Sequence, residues 1–168
     1  MICTITLNPT IDKSSSVDRL YPERKLRCNA LLTEPGGGGV NISKALKELG
    51  ANSHAIFPAG GANGHLLKEL LSEAGIAFSA IPARGATRES FNITERSTGA
   101  QYRFIMPGPS IQEITVIRCT DKLEAIQPTP HYMVASGSLP PGAPPIFFRA
   151  CCTDSTKTTG KTDRGHVW

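Results

Sequence analysis

Between residues 2 and 81 the chain alternates short β-branched runs with amphipathic helices that each end at a glycine. This order restricts the fold more than any other feature. Residues 2–8 (ICTITLN) alternate β-branched and small side chains and break at Asn8-Pro9, as a buried strand ending in a turn does. Residues 26–34 (LRCNALLTE) read as a further strand, leading through Pro35 into Gly36, Gly37, Gly38 and Gly39. In the helix that follows, Ile42, Ala45, Leu46 and Leu49 fall at i, i+3, i+4 and i+7, and Gly50 supplies the stop. Residues 53–58 (SHAIFP) form a short strand. Asn63 opens a helix whose apolar face is Leu66, Leu67, Leu70, Leu71 and Ala74, Gly75 ends it, and residues 76–81 (IAFSAI) return as a strand. Strands joined through helices pair in parallel. The expected class is therefore α/β: a layered fold with a mainly parallel central sheet flanked by helices.

Two later runs differ in character. Residues 89–96 (ESFNITER) and 100–106 (AQYRFIM), joined by Ser97-Thr98-Gly99, alternate polar and apolar side chains, as a hairpin wet on one face does. Such a hairpin does not suit a sheet covered on both faces, so it predicts a small β lid. Ser110 and Glu113 have the spacing of a capping box ahead of a weak helical pattern over 111–126. Residues 132–138 (YMVASGS) read as one more core strand. Residues 149–168 (RACCTDSTKTTGKTDRGHVW) carry few apolar side chains and no period, a composition that predicts disorder.

Composition narrows the function classes. Of 168 residues, 39% are hydrophobic, 19% charged and 6% aromatic, a globular balance. No apolar run approaches the ~20 residues of a membrane span. The opening MICTITLNPT has neither the basic nor the apolar region of a secretory signal, so a cytoplasmic location and no membrane partner are expected. The net charge of +4 suits small anions. No basic run is interleaved with aromatics, so no nucleic-acid partner is expected. The cysteines Cys3, Cys28, Cys119, Cys151 and Cys152 are odd in number and scattered, which predicts free thiols. With no Cys-x-x-Cys pair, no metal site is expected. Gly160-Lys161-Thr162 imitates a phosphate-binding loop, but Ser155 stands where that motif needs its first glycine.

Four consecutive glycines before a helix allow close backbone approach and leave main-chain N–H groups available to oxygen. Taken alone they fit a flexible turn equally well. The context decides: Tyr21-Pro22-Glu23 with Lys25-Leu26-Arg27-Cys28, Glu34-Pro35-Gly36-Gly37-Gly38-Gly39-Val40-Asn41, Ile56-Phe57-Pro58-Ala59-Gly60-Gly61, Gln101-Tyr102-Arg103-Phe104-Ile105-Met106-Pro107-Gly108 and Ser136-Gly137-Ser138-Leu139-Pro140-Pro141-Gly142 occur in one register. Together they resemble the ribokinase-like carbohydrate kinases, and among these the minor type of 6-phosphofructokinase, over residues 1–148. The resemblance implies part of a ribokinase-like layered fold, with lid strands within 11–34 and 88–107, and a non-family tail over 149–168. It implies ATP-dependent phosphorylation of D-fructose 6-phosphate at its 1-hydroxyl, the glycolytic reaction, with ATP and Mg2+ as the family's cofactors. Fructose 1-phosphate and tagatose 6-phosphate are the alternative substrates of sister families.

Carried over position by position, the resemblance implies that Asp12, Gly37, Gly38 and Asn41 meet the sugar hydroxyls. It assigns Arg88 and Arg103 to the phosphate already on the sugar, a task suited to guanidinium forks. Ser138 is a further substrate contact and Lys25 a secondary anion contact. The partners implied are a sugar phosphate and a second copy paired through lid strands. The family's base and anion hole come from a Gly-Ala-Gly-Asp motif, and its metal arrangement from an Asn-x-x-Glu motif, both in the C-terminal half. No catalytic or metal residue is therefore expected here. The chain is expected to bind ATP and Mg2+ incompetently and to be inactive alone; the alternatives are a sugar-phosphate-binding or lid-pairing remnant without catalysis and a non-functional translated fragment. A frameshift or recombination junction near residue 150 would account for the change of composition there.

Overall fold

The computed structural model describes residues 1–145 and Phe147. The expectations for the tail 149–168, including Cys151, Cys152 and the Gly160-Lys161-Thr162 imitation, lie outside the described residues. The elements run β1 (Ile2–Ile5), β2 (Thr10–Val17), β3 (Leu32–Gly36), α1 (Gly38–Glu48), β4 (Ser53–Ala59), α2 (Gly61–Glu73), β5 (Ala77–Pro82), β6 (Arg88–Glu95), β7 (Gln101–Ile105), α3 (Glu113–Glu124) and β8 (Tyr132–Ala135). They build two four-stranded sheets, ordered β5-β4-β1-β8 and β3-β2-β6-β7.

The first sheet is wholly parallel, as strands separated by helices require. Strand alternation divides its core in two. Cys3 and Ile5 pack with Ile56, Ile81, Val116, Cys119 and Leu123 on the α3 side. Ala55 and Phe57 pack with Val40, Leu67 and Leu71 on the α1 and α2 side. Each large apolar side chain so buried contributes about 1.5–3 kcal/mol. Burial also pushes the Cys3 thiol up to about 12, so it is inert at neutral pH.

The second sheet is the lid. β6 and β7 form the expected antiparallel hairpin, and β2 joins β6 in parallel and β3 in antiparallel register. Its alternation gives two unlike faces. Asp12, Ser14, Arg88, Ser90, Asn92 and Arg103 share one of them, since Asp12 pairs with Ser90, and Ser14 and Arg103 both pair with Asn92.

Four expectations need correction. The strand expected at 26–34 forms only from Leu32. Before it, the Ser15 hydroxyl donates to the Asn29 and Ala30 carbonyls and Asn29 Nδ2 donates to Ser16 Oγ, so side chains take groups that a regular ladder would use. The apolar stripe of α1 does not face the core: Gly39, Val40 and Ser43 are buried, whereas Ala45 is exposed and Leu49 is 82% exposed. The reason is steric, because a Cβ on Gly39 would lie 2.5 Å from Thr6 Oγ1 and 2.9 Å from the Ile5 carbonyl oxygen. The helix thus seats its smallest residues against β1. The capping box does not form, since Gln112 is the N-cap and the Ser110 hydroxyl donates to the Pro141 carbonyl instead. Finally, β8 stops at Ala135 and is a sheet edge among the described residues, where a longer core strand was expected.

Candidate functional site

The lid and the central sheet meet at the C-terminal end of β1, where open parallel sheets collect ligand contacts. Residues 6–9 carry the chain from one sheet to the other, and the glycine run passes beside them. Gly37 is the N-cap of α1, with φ 110°, a backbone state that other residues enter only with strain. A Cβ on Gly38 would lie 2.6 Å from both the Ser136 carbonyl carbon and Ser136 Oγ. The helix start is therefore pressed against the loop after β8, and glycine is needed there for packing as well as for access. The Gly39 N–H is held by Thr6 Oγ1 at 2.6 Å. The N-cap, Gly37, has no side chain of its own to cap the helix, and the positive end of α1 is turned to this junction.

Asp12 stands on β2 directly above. Its carboxylate occupies the space that a Cβ on Gly36 would take, with Asp12 Cγ 2.5 Å from that position. Burial pushes the Asp12 carboxyl above the ordinary aspartate range, while Arg88, the Thr10 hydroxyl and Lys44 pull it down and Glu34 pushes it up again. Arg88 opens β6 and is half-buried. Burial lowers its pKa and Asp12 raises it. Its Nε and Nη2 each donate to the Asn8 carbonyl at 3.4 Å, and Nη1 donates to Ser90 Oγ at 3.3 Å. The guanidinium is thus fixed by neutral acceptors, and its charge is only partly met by a carboxylate.

Two residues outside the expected set organise this junction. Asn8, 8% exposed, donates from Nδ2 to Ser138 Oγ at 3.0 Å while its carbonyl receives Arg88. It therefore ties a lid cation to the loop after β8. Lys44 on α1 donates to Glu34 at 3.0 Å, neutralising the acid paired with Asp12 across the β2–β3 ladder. Asn8 carried a sequence signal, since it closes the first strand ahead of Pro9. Lys44 carried none, because a lysine on a helix is ordinarily solvated.

Of the expected residues, Asp12, Gly37, Gly38, Arg88 and Ser138 converge at this junction. Asn41 is exposed in the first turns of α1, and its backbone N–H donates to the Gly37 carbonyl. Arg103 shares the lid face of Arg88 but sits on the edge strand β7, exposed, with Gln101 as its hydrogen-bond partner at 3.4 Å. Lys25 is exposed in the connection between β2 and β3. The adjoining recess behind Asn8, bordered by Leu7, Pro58, Thr87, Pro109 and Pro140, has about 20 Å³ of space, room for one water.

The described residues do not fit a magnesium–nucleotide centre. No group of three or more His, Cys, Asp or Glu among them is placed to hold a metal. The sequence contains no Gly-Ala-Gly-Asp. Contrary to expectation it does contain one Asn-x-x-Glu, Asn92-Ile93-Thr94-Glu95, but this lies on lid strand β6. Residues three apart on a strand point to opposite faces, so Asn92 and Glu95 cannot act on one ion. Burial pushes the Glu95 carboxyl up, yet the Leu20 N–H and the Ser97, Thr98 and Tyr102 hydroxyls outweigh it and hold the group below its ordinary range. This glutamate is a structural acceptor for the lid loops.

The profile of the pfkB family carbohydrate kinases matches residues 2–155. The chain is 45% identical over 148 residues to the ATP-dependent 6-phosphofructokinase isozyme 2 of Mycobacterium tuberculosis, covering 88% of this chain and 44% of that protein. It is 40% identical over 141 residues to the isozyme 2 of Escherichia coli, covering 84% of this chain and 45% of that one. The crystal structure of phosphofructokinase-2 from Escherichia coli in complex with fructose-6-phosphate superposes with a TM-score of 0.86 at 37% identity, over 93% of this chain and 51% of that one. The chain thus spans less than half the length of these curated relatives. No helix among the described residues is long and apolar enough to cross a membrane.

Proposed function

Because the chain belongs to the pfkB family of carbohydrate kinases, we propose that it supplies the acceptor side of an ATP-dependent 6-phosphofructokinase, receiving D-fructose 6-phosphate between lid and central sheet. The observation that carries this reading is the convergence, over the glycine-lined start of α1, of Asp12, packed against Gly36, and a half-buried Arg88 held by the Asn8 carbonyl and the Ser90 hydroxyl. A carboxylate accepts from sugar hydroxyls, and main-chain N–H groups at a helix start receive their oxygens. A guanidinium held by neutral acceptors has charge left for a phosphate. Asp12, Gly37, Gly38, Asn41 and Ser138 are assigned to the sugar and Arg88 and Arg103 to its phosphate, with Lys25 as a secondary anion contact.

The chain's own residues orient the acceptor, and no group among those described takes the proton from its 1-hydroxyl. The relatives are ATP-dependent, and on this reading the chain binds neither ATP nor Mg2+ competently. Alone, the chain is a binding module without turnover. A lid-pairing role is the second reading: every residue of β7 is exposed, with Phe104 at 48% and Ile105 at 70%, a surface open to the lid of another copy.

Calorimetric titration of the purified chain with fructose 6-phosphate, alongside an ATP-coupled turnover assay with magnesium, tests the proposal. Saturable binding that weakens about tenfold or more in Asp12→Ala and Arg88→Ala is expected, with no turnover. Absence of binding would overturn the acceptor reading, and sustained turnover would overturn the assignment of a binding role alone.

A further inference from the structure

The lid face that carries Arg88 also holds a buried acceptor that nothing satisfies. Asn92 sits within β6, and its Oδ1 is buried with no hydrogen-bond partner among the described residues. Such an atom has lost water without gaining a donor, so it favours any arrangement that brings one to it. The ladders limit which donors can come. Ser14 lies opposite Asn92 on β2, and Arg103 lies opposite it on β7, where cross-strand Cβ atoms stand ~5 Å apart. Arg88 and Ser90, earlier on the same strand, are engaged elsewhere. Arg88 donates to the Asn8 carbonyl, Ser90 Oγ and the Met106 carbonyl, and the Ser90 hydroxyl also meets that of Thr10. The Ser14 hydroxyl is a direct neighbour, yet it leaves Oδ1 unpaired.

Arg103 has both the reach and the freedom. It is exposed, and its guanidinium meets Gln101 Oε1 at 3.4 Å, longer than an ordinary N–H···O bond. Among the described residues it joins no ion pair. Gln101 stands two places before it on the same edge strand, whereas Asn92 lies inward, toward the strand of Arg88. A guanidinium has five N–H donors in a planar fork, so one edge can rest on an amide oxygen while another grips two phosphate oxygens. Holding it there beforehand also lowers the rotamer freedom that a long side chain loses on binding. We propose that Asn92 is a positioning residue: when a sugar phosphate enters, Arg103 leaves Gln101, donates to Asn92 Oδ1 and turns its remaining N–H groups to the phosphate beside Arg88. This inference rests on the assignment of Arg88 and Arg103 to that phosphate and adds the residue that aims the second of them.

A double-mutant cycle on the full chain, followed by calorimetric titration with fructose 6-phosphate, tests this. Asn92→Leu keeps the approximate size of the side chain and removes the acceptor. It should weaken binding about fivefold in the parent and leave it unchanged in an Arg103→Ala background. Its melting temperature should hold or rise, because the atom removed is unpaired in the free protein. A role in the fold alone would lower melting temperature and affinity together. By nuclear magnetic resonance, the Arg103 Nε–H should gain protection from exchange on saturation with fructose 6-phosphate in the parent and not in Asn92→Leu. Equal losses with and without Arg103, full affinity in Asn92→Leu, a lowered melting temperature, or an Nε–H protected alike in both proteins would each overturn the proposal and leave the acceptor site standing. No binding by the parent would overturn both.

Discussion

Replacing Gly36 with alanine would put a methyl group against the Asp12 carboxylate, 2.5 Å from its Cγ and 2.9 Å from Thr10 Cγ2. Carbon atoms settle near ~3.5–4 Å, so the carboxylate must retreat by roughly 1 Å or more. Turning χ1 some 30° off its rotamer costs about 0.5–1.5 kcal/mol. Gly36 has no positive φ, so the shorter menu of unfolded states for alanine offsets this by about 0.4–1 kcal/mol. The net effect on stability is therefore small, a loss within about 1 kcal/mol. Binding should suffer far more. A charge-assisted hydrogen bond to a sugar hydroxyl is worth about 1.5–3 kcal/mol, so displacing the carboxylate should weaken fructose 6-phosphate roughly ten- to hundredfold. A double-mutant cycle isolates the cause. In an Asp12→Ala background only the 2.9 Å contact with Thr10 Cγ2 is left, so Gly36→Ala should destabilise less than in the parent by thermal melt, with no further loss in calorimetric titration. If Gly36→Ala destabilises the Asp12→Ala protein as much as the parent, the clash does not lie with Asp12 and the reasoning fails.

Two further outcomes are expected. Asn8→Ala should weaken fructose 6-phosphate about fivefold, the equivalent of one neutral hydrogen bond of roughly 1 kcal/mol, by releasing Ser138. Ser138→Ala should abolish that increment in calorimetric titration, and full additivity of the two would refute the coupling. Burial raises the Asp12 carboxyl, with Arg88, Thr10 and Lys44 opposing, so the folded chain holds that proton more tightly than the unfolded one. Between the ordinary and the raised pKa the folded state then binds more protons, and the Asp12 contribution to stability falls as pH rises. Denaturant midpoints of the parent minus those of Asp12→Asn should decline from acid toward neutral pH, and a flat or rising difference would contradict the assignment.

Strand–helix alternation was legible because burial against two layers demands apolar periods and helix stops, and residues 38–82 carry both. The glycine run was legible as a site only through its company, since glycine by itself marks permission and not purpose. β2 was harder to read: Thr10–Val17 sets hydroxyls and charges on both faces, so no apolar alternation marks a strand that is held by ladders on either side. The α1 face misled for a related reason. The stripe Ile42, Ala45, Leu46, Leu49 is a true amphipathic signal, but periodicity does not say which partner covers it, and the described core takes the glycine and serine side instead.

Sequence by itself determined the α/β class, the parallel pairing of the central strands and the lid hairpin. These rest on local periods and on side-chain chemistry, which each segment carries wherever it is placed. Tertiary structure alone decided that Asn8 joins Arg88 to Ser138, that Gly36 makes room for Asp12, and that Asn92 and Glu95 look away from one another. Those outcomes depend on register and on contacts between residues up to 130 positions apart, distances over which no local pattern carries information.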